Sequence, residues 1–239
     1  MAEVRYQNSY LSGLKKGIPI ALGYLSVSFG FGISVVSRGL EAVWAVIISM
    51  TNLTSAGQLA GVGVILSQGP IIEMVLTQLV INLRYSLMGI ALTQKLGTYS
   101  LRHRILSAFG ITDEIFAVAI NEGGELGPRF MYGLITLPYL GWTAGTLIGV
   151  LAGDILPLSV SAALGIAIYS MFVAIVVPEA RDDKGVMWAV VIACSLSCAL
   201  YYIPFFSFIS TGFSIIICAV VASVIMAVVR PIESEEESQ

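Results

Sequence analysis

The sequence predicts an all-α membrane protein: a polytopic helical bundle of about six to eight hydrophobic segments, one or two of them broken or re-entrant. Three observations carry that reading. Of 239 residues, 57% are hydrophobic and 11% charged, and the mean hydropathy is +0.90, whereas a soluble domain carries about 25% charged residues. The apolar runs reach about 20 residues without period-two alternation, which selects helices over a barrel. Two runs hold polar clusters at their centres, Thr51-Asn52-Leu53-Thr54-Ser55-Ala56-Gly57-Gln58 and Thr112-Asp113-Glu114.

Residues 1–16 are polar and basic and form a cytoplasmic segment. No A-x-A cleavage site follows the first span, so that span reads as an uncleaved helix. It covers residues 17–36, with Pro19 at its start, where a missing N–H costs nothing. Residues 42–66 follow, interrupted by the 51–58 cluster. Pro70 opens a span at 70–94 that carries Arg84 near its centre. Further apolar stretches cover 105–121, 130–153, 160–177, 186–203 and 205–229, and Arg230-Pro231 stops the last. Residues 17–230 thus form a single transmembrane transport domain, and the acidic tail 231–239 is expected to be disordered.

The positive-inside rule orients these segments. Arg5, Lys15 and Lys16 place the N-terminus in the cytoplasm, and Lys95, Arg102 and Arg104 form a second cytoplasmic cluster. An even number of crossings must separate them, so one intervening segment enters and returns. Residues 42–66 suit this: two arms of about twelve residues each reach about 18 Å, little more than half the hydrocarbon core. Residues 105–121, with their own polar centre, are read the same way. The loops holding Arg129, Arg181, Lys184 and Arg230 then all become cytoplasmic. A cysteine at position 67 is accordingly expected to label from outside and one at position 100 from the cytoplasm.

Arg84 is the most informative residue. A charge at bilayer depth costs about 2.5–3.5 kcal/mol on insertion scales and needs a counter-ion, a polar cavity or a substrate. Its guanidinium either pairs with Asp113 or Glu114 or binds a substrate carboxylate, for which a planar fork is suited. Gln78 and Asn82 share one helix face, and Val80 and Arg84 share another. Thr51, Asn52, Thr54, Ser55, Gly57 and Gln58 supply either a tight interhelical hydrogen-bond network or a ligand site, where freed backbone groups hold carboxylate or ammonium. Asp113 and Glu114 also suit proton coupling, and Glu73 and Asp154, near segment ends, read as interfacial.

Gly141, Gly145, Gly149 and Gly153 recur every four residues and make one helix face for close packing against a partner helix, within this chain or in a second subunit. Gly23, Gly30 and Gly32 surround Tyr24, Phe29 and Phe31, which pack or wall a ligand. Cys194, Cys198 and Cys218 read as small packing residues. Enzyme signatures are lacking: His103, the only histidine, falls in a basic loop, and no G-x-x-x-x-G-K-[ST] occurs. No cofactor, metal ion or nucleic acid is expected.

Four stretches carry a family resemblance: TSAGQLAGVGVIL at 54–66, VINLRYSLMGIAL at 80–92, FGITDEIFAVA at 109–119 and GTLIGVLAGDILP at 145–157. Over about residues 17–178 the chain resembles the AzlC-type branched-chain amino acid permeases. The resemblance implies export of branched-chain amino acids or analogues across the bacterial cytoplasmic membrane, with a small AzlD-type membrane partner. Carried residue by residue, it points to Gln58, Asn82, Arg84, Thr112, Asp113 and Glu114. A zwitterion with an apolar side chain needs an anion site, a cation site and a dry pocket. Arg84 or a helix N-terminus can supply the first, Asp113, Glu114 or free carbonyls the second, and Phe29 and Phe31 with nearby aliphatics the third. The rival readings are a small-solute channel and a non-transporting membrane scaffold.

Overall fold

A computed structural model describes the backbone of residues 6–97, 99–153 and 158–230. The acidic tail and Asp154 lie outside the described residues. The element order is β1 (Tyr6–Gln7), α1 (Tyr10–Ser37), α2 (Ala42–Thr51), α3 (Ser55–Leu66), α4 (Ile71–Thr93), α5 (Leu101–Phe109), α6 (Asp113–Asn121), β2 (Glu125–Leu126), α7 (Pro128–Gly153), α8 (Leu158–Asp182), α9 (Lys184–Tyr202), the 3₁₀ turn η1 (Pro204–Phe206) and α10 (Thr211–Val229). Among the described residues, α1, α4, α7, α9 and α10 are long and apolar enough to cross a membrane. The protein is an all-α, multi-pass membrane protein.

Both runs with polar centres are broken helices. The first stops at Asn52, whose extended backbone ends α2, and resumes at Ser55. Asn52 Oδ1 accepts the Thr54 N–H at 3.2 Å, a local turn that competes with helix continuation. The second stops at Gly110 and restarts after Thr112, the N-cap of α6, whose Oγ1 accepts the Ile115 N–H at 3.3 Å. Asp113 and Glu114 fill the first turn of α6, where carboxylates complement the helix dipole. Removing that cap, Thr112→Val, is expected to destabilise the detergent-solubilised protein by about 1 kcal/mol, read as a lower melting temperature.

Several boundaries differ from those expected. The first helix starts at Tyr10, capped by Ser9 accepting from the Ser12 N–H, so Pro19 lies inside α1 rather than at its start. Its ring removes only one hydrogen bond in a long helix that tight packing holds together. The final helix begins at Thr211, because Pro204 opens a 3₁₀ turn and Ser210 supplies a new cap. A two-residue parallel pairing, Tyr6 with Glu125 and Gln7 with Leu126, was also unforeseen. It ties the residues just before α1 to those just before α7.

The described chain divides into two compact units, Met1–Leu59 with Asn82–Ile168, and Ala60–Ile81 with Tyr169–Gln239. In the first, α1 and α7 run side by side in the same direction. A Cβ on Gly133 would lie 2.1 Å from Tyr10 O, one on Gly141 2.5 Å from Ala21 O, one on Gly145 2.4 Å from Leu25 O, and one on Gly149 2.2 Å from Phe29 O. Bare Cα atoms therefore bring the two backbones together. Gly153, at the end of the stripe, meets only ordinary contacts at 3.7 Å. Parallel α1 and α7 begin on one side of the membrane, so the two broken segments must either both cross or both return. A cluster around Leu92, Ile115, Leu126, Phe130 and Leu134 closes the end of this unit near the parallel pairing.

In the second unit α9 and α10 pack together. Asp183 caps α9, accepting the Gly185 N–H at 2.5 Å, and pairs with Arg230 at 2.6 Å. Those two partners hold its carboxyl below the usual carboxylate range, so acid weakens this contact. Cys194 and Cys198 are exposed free thiols, and Cys218 is buried.

Candidate functional site

Arg84, on α4, pairs with Asp113 at the first turn of α6, Nη1 to Oδ2 at 2.8 Å. Nη2 donates to Tyr85 Oη at 3.2 Å, and the guanidinium carbon lies 5.0 Å from the Tyr85 ring centre. The side chains of the pair are 38% and 30% exposed, so the protein does not enclose the charges fully. Arg84 Nε is buried with no hydrogen-bond partner among the described residues. Asp113 thus occupies one arm of a fork that could hold a carboxylate with two.

Beside Asp113, the Tyr24 hydroxyl of α1 lies 2.6 Å from Thr112 Oγ1 and donates to the Glu114 carboxylate. The Tyr24 ring meets Trp142 of α7 edge to face, centroids 5.2 Å apart. Trp142 Nε1 donates to Gln58 Oε1 at 2.8 Å, Gln58 Nε2 donates to Ser49 Oγ at 2.9 Å, and Ser49 bonds Thr146 Oγ1 at 2.8 Å. Ser49, Gln58, Trp142 and Thr146 are all buried. One chain of contacts therefore runs from the Gln58 side of the first break through Trp142 and Tyr24 to the second break. Leu53, Tyr24 and Trp142 form a buried apolar cluster beside it, with Ile20, Val27 and Tyr139 packed around.

The expected site residues divide by environment. Arg84, Thr112, Asp113 and Glu114 come together. Gln58 spends both ends of its amide on protein partners, so in this conformation it fixes α3 against α2 and α7. Thr51 Oγ1 bonds Ile47 O within its own helix at 2.8 Å. Asn52 shapes the break, Ser55 opens α3, and Gly57 and Asn82 are buried and half-buried respectively. Phe31 is buried, while Phe29 contributes its carbonyl to the contact with Gly149. Sequence reasoning missed Trp142 and underused Tyr24. The available signal was an indole between Gly141 and Gly145, since a buried Trp N–H requires an acceptor. Glu73, expected near the interface, lies in the first turn of α4, 1% exposed and bonded to the start of α10. Replacing Gln58 with Leu leaves the Trp142 N–H without a partner and leaves Ser49 with Thr146 alone. The expected loss is about 2 kcal/mol, read by thermal melting in detergent.

The family model for AzlC protein matches residues 19–156, a stretch that holds Tyr24, Gln58, Arg84, Asp113 and Trp142. The chain belongs to the AzlC family. It is 33% identical over 174 residues to an uncharacterized membrane protein of Archaeoglobus fulgidus, covering 72% of this chain and 76% of that one. It is 24% identical over 206 residues to the Escherichia coli inner membrane protein YgaZ, covering 82% and 84%. Over 180 residues it is 23% identical to the Bacillus subtilis branched-chain amino acid transport protein AzlC, covering 74% and 70%. No solved structure is significantly similar. The AzlC match ends before α8, so both broken helices fall within the family region and α9 and α10 outside it.

Proposed function

We propose that this AzlC-family protein is a secondary transporter that exports branched-chain or other apolar amino acids across the cytoplasmic membrane. It works with a small AzlD-type membrane subunit. The observation that carries the reading is the Arg84–Asp113 pair at the second helix break, partly exposed yet backed by a buried donor. The name of the Bacillus subtilis relative and the inner-membrane name of the Escherichia coli relative support the substrate class and the location.

In this mechanism the substrate carboxylate displaces Asp113 from Arg84. The freed Asp113 and neighbouring Glu114 then face the ammonium group, so charge stays matched at each step. Tyr24 brings the buried apolar cluster it forms with Leu53 and Trp142 up to the second break, and a branched side chain would pack against that cluster. When substrate leaves, Asp113 returns to the guanidinium and the site resets without leaving an unpaired charge. Binding energy is thus released as well as gained, which keeps turnover possible.

The test is flux of radiolabelled leucine, valine and methionine in proteoliposomes, with and without the co-expressed small subunit. The account expects saturable flux with mutual competition. Flux that rises linearly with concentration would instead indicate a channel, and none under any condition a scaffold.

A further inference from the structure

Glu73 lies in the first turn of α4 and is 1% exposed, and no cation pairs with it among the described residues. Its Oε1 accepts the Gly212 N–H at 2.9 Å and the Ser210 hydroxyl, so the carboxylate sits against the N-terminus of α10. Thr77, one turn further along α4, is fully buried, and its hydroxyl has no hydrogen-bond partner among the described residues. Both side chains face the bare Cα of Gly212, where a Cβ would lie 2.4 Å from Glu73 Oε1 and 2.8 Å from Thr77 Oγ1. Gly69, in the turn before α4, makes room for Oε2 in the same way, at 2.8 Å.

We propose that Glu73 is a buried proton-binding site on the outer side of the membrane, and that its proton is exchanged for the exported amino acid. This rests on the transport reading above. Each protonation state has its own partners. The carboxylate is held by the Ser210 and Gly212 donors and the positive end of α10. A proton added to a carboxyl oxygen removes the charge and creates an O–H donor, for which Thr77 Oγ1 is a buried acceptor waiting without a partner. Binding therefore loosens α4 from α10 and re-seats the carboxyl within α4. Glu73 and Arg84 lie on the same helix, α4, and on the transport reading protonation of the one is coupled to substrate at the other.

Among the described residues, the contacts recorded for Glu73 bring no second titratable group to it. The turn before α4 contributes Gly69, α4 contributes Thr77, and α10 contributes Ser210 and Gly212. The other charged residues described in this unit, Glu179, Arg181, Asp182, Asp183, Lys184 and Arg230, gather around the opposite ends of α9 and α10, where Asp183 meets Arg230. Nineteen residues of α10 separate the two ends, about 28 Å at 1.5 Å per residue. The end that carries Arg181, Lys184 and Arg230 is cytoplasmic by the positive-inside rule, which leaves Glu73 outside. Exposed Tyr201, Tyr202, Phe205 and Phe208 cluster at the Glu73 end of this pair, as aromatic residues do at a membrane–water interface.

Inside-out proteoliposomes of the native chain and Glu73→Gln, with an acidic lumen and the potential clamped, test the assignment. One proton per amino acid and a gradient of about one pH unit give about tenfold leucine accumulation in the lumen. Glu73→Gln is expected to stop at equal concentrations; accumulation equal to that of the native chain overturns the proposal. Hydrogen exchange at the Gly212 amide provides a second reading that needs neither transport nor a variant. After correction for intrinsic rates, acidification should speed exchange at Gly212 in the native chain, and unchanged protection overturns the proton site. A native chain that moves no amino acid, yet shows the acid-accelerated exchange, sinks the transport reading and keeps the proton site.

Discussion

Arg84→Ala is expected to abolish leucine efflux from loaded proteoliposomes, lowering it about a hundredfold or more, with little change in the amount of folded protein. The estimate follows from removing one partner of a charge pair, about 2–5 kcal/mol at a recognition site. Asp113 is then left at the start of α6 with the helix dipole and nearby donors for company, which is tolerable. A companion change separates recognition from mere pairing. Asp113→Asn removes the group that competes with substrate for Arg84, so the apparent KM should fall and the maximal rate should fall with it. A purely structural ion pair predicts no such split; both variants would lose stability and neither would change KM. Unchanged efflux in Arg84→Ala would end the carboxylate role.

Gly149→Ala should prevent assembly of the first unit. The added Cβ would lie 2.2 Å from Phe29 O and 3.0 Å from its carbonyl carbon, both backbone atoms that cannot swing away. The helices would have to separate, stripping contact from the tightly packed α1–α7 interface, at a cost of about 3 kcal/mol or more. The readout is the yield of monodisperse protein and its melting temperature in detergent. Gly23→Ala is the control. Nothing lies within 4 Å of its Cβ position, and replacing a helix-interior glycine with alanine contributes up to about 1 kcal/mol in favour of the helix. That variant should melt at the same temperature or slightly higher.

Much of this architecture was legible because lipid imposes strict rules. Long apolar runs had to be helices, and polar clusters inside two of them had to break the backbone, as Asn52 and Thr112 do. The four-residue glycine period required close packing, although only the coordinates supply α1 as the partner. Other features depend on contacts between residues distant in sequence, which periodicity does not encode. Pro19 looked like a helix start because the chain before it is basic, yet residues 10–18 are helical and pack Gly13 and Gly17 against α7. Glu73 looked interfacial from its place at a segment end; its burial comes from Ser210 and Gly212, far along the chain. Gln58 stood out as a polar residue in an apolar run, but the Trp142 indole and Ser49 hydroxyl that engage it could not be paired with it from spacing alone.

The central claim is that a carboxylate on the solute takes Asp113's place on Arg84. Competition in a leucine counterflow assay measures this directly, with leucine and leucinamide as unlabelled competitors against the native chain. Leucinamide keeps the ammonium group and the branched side chain but has no carboxylate. The account predicts that leucine competes and that leucinamide fails to do so by about two orders of magnitude in concentration. Equal competition by the two would contradict it.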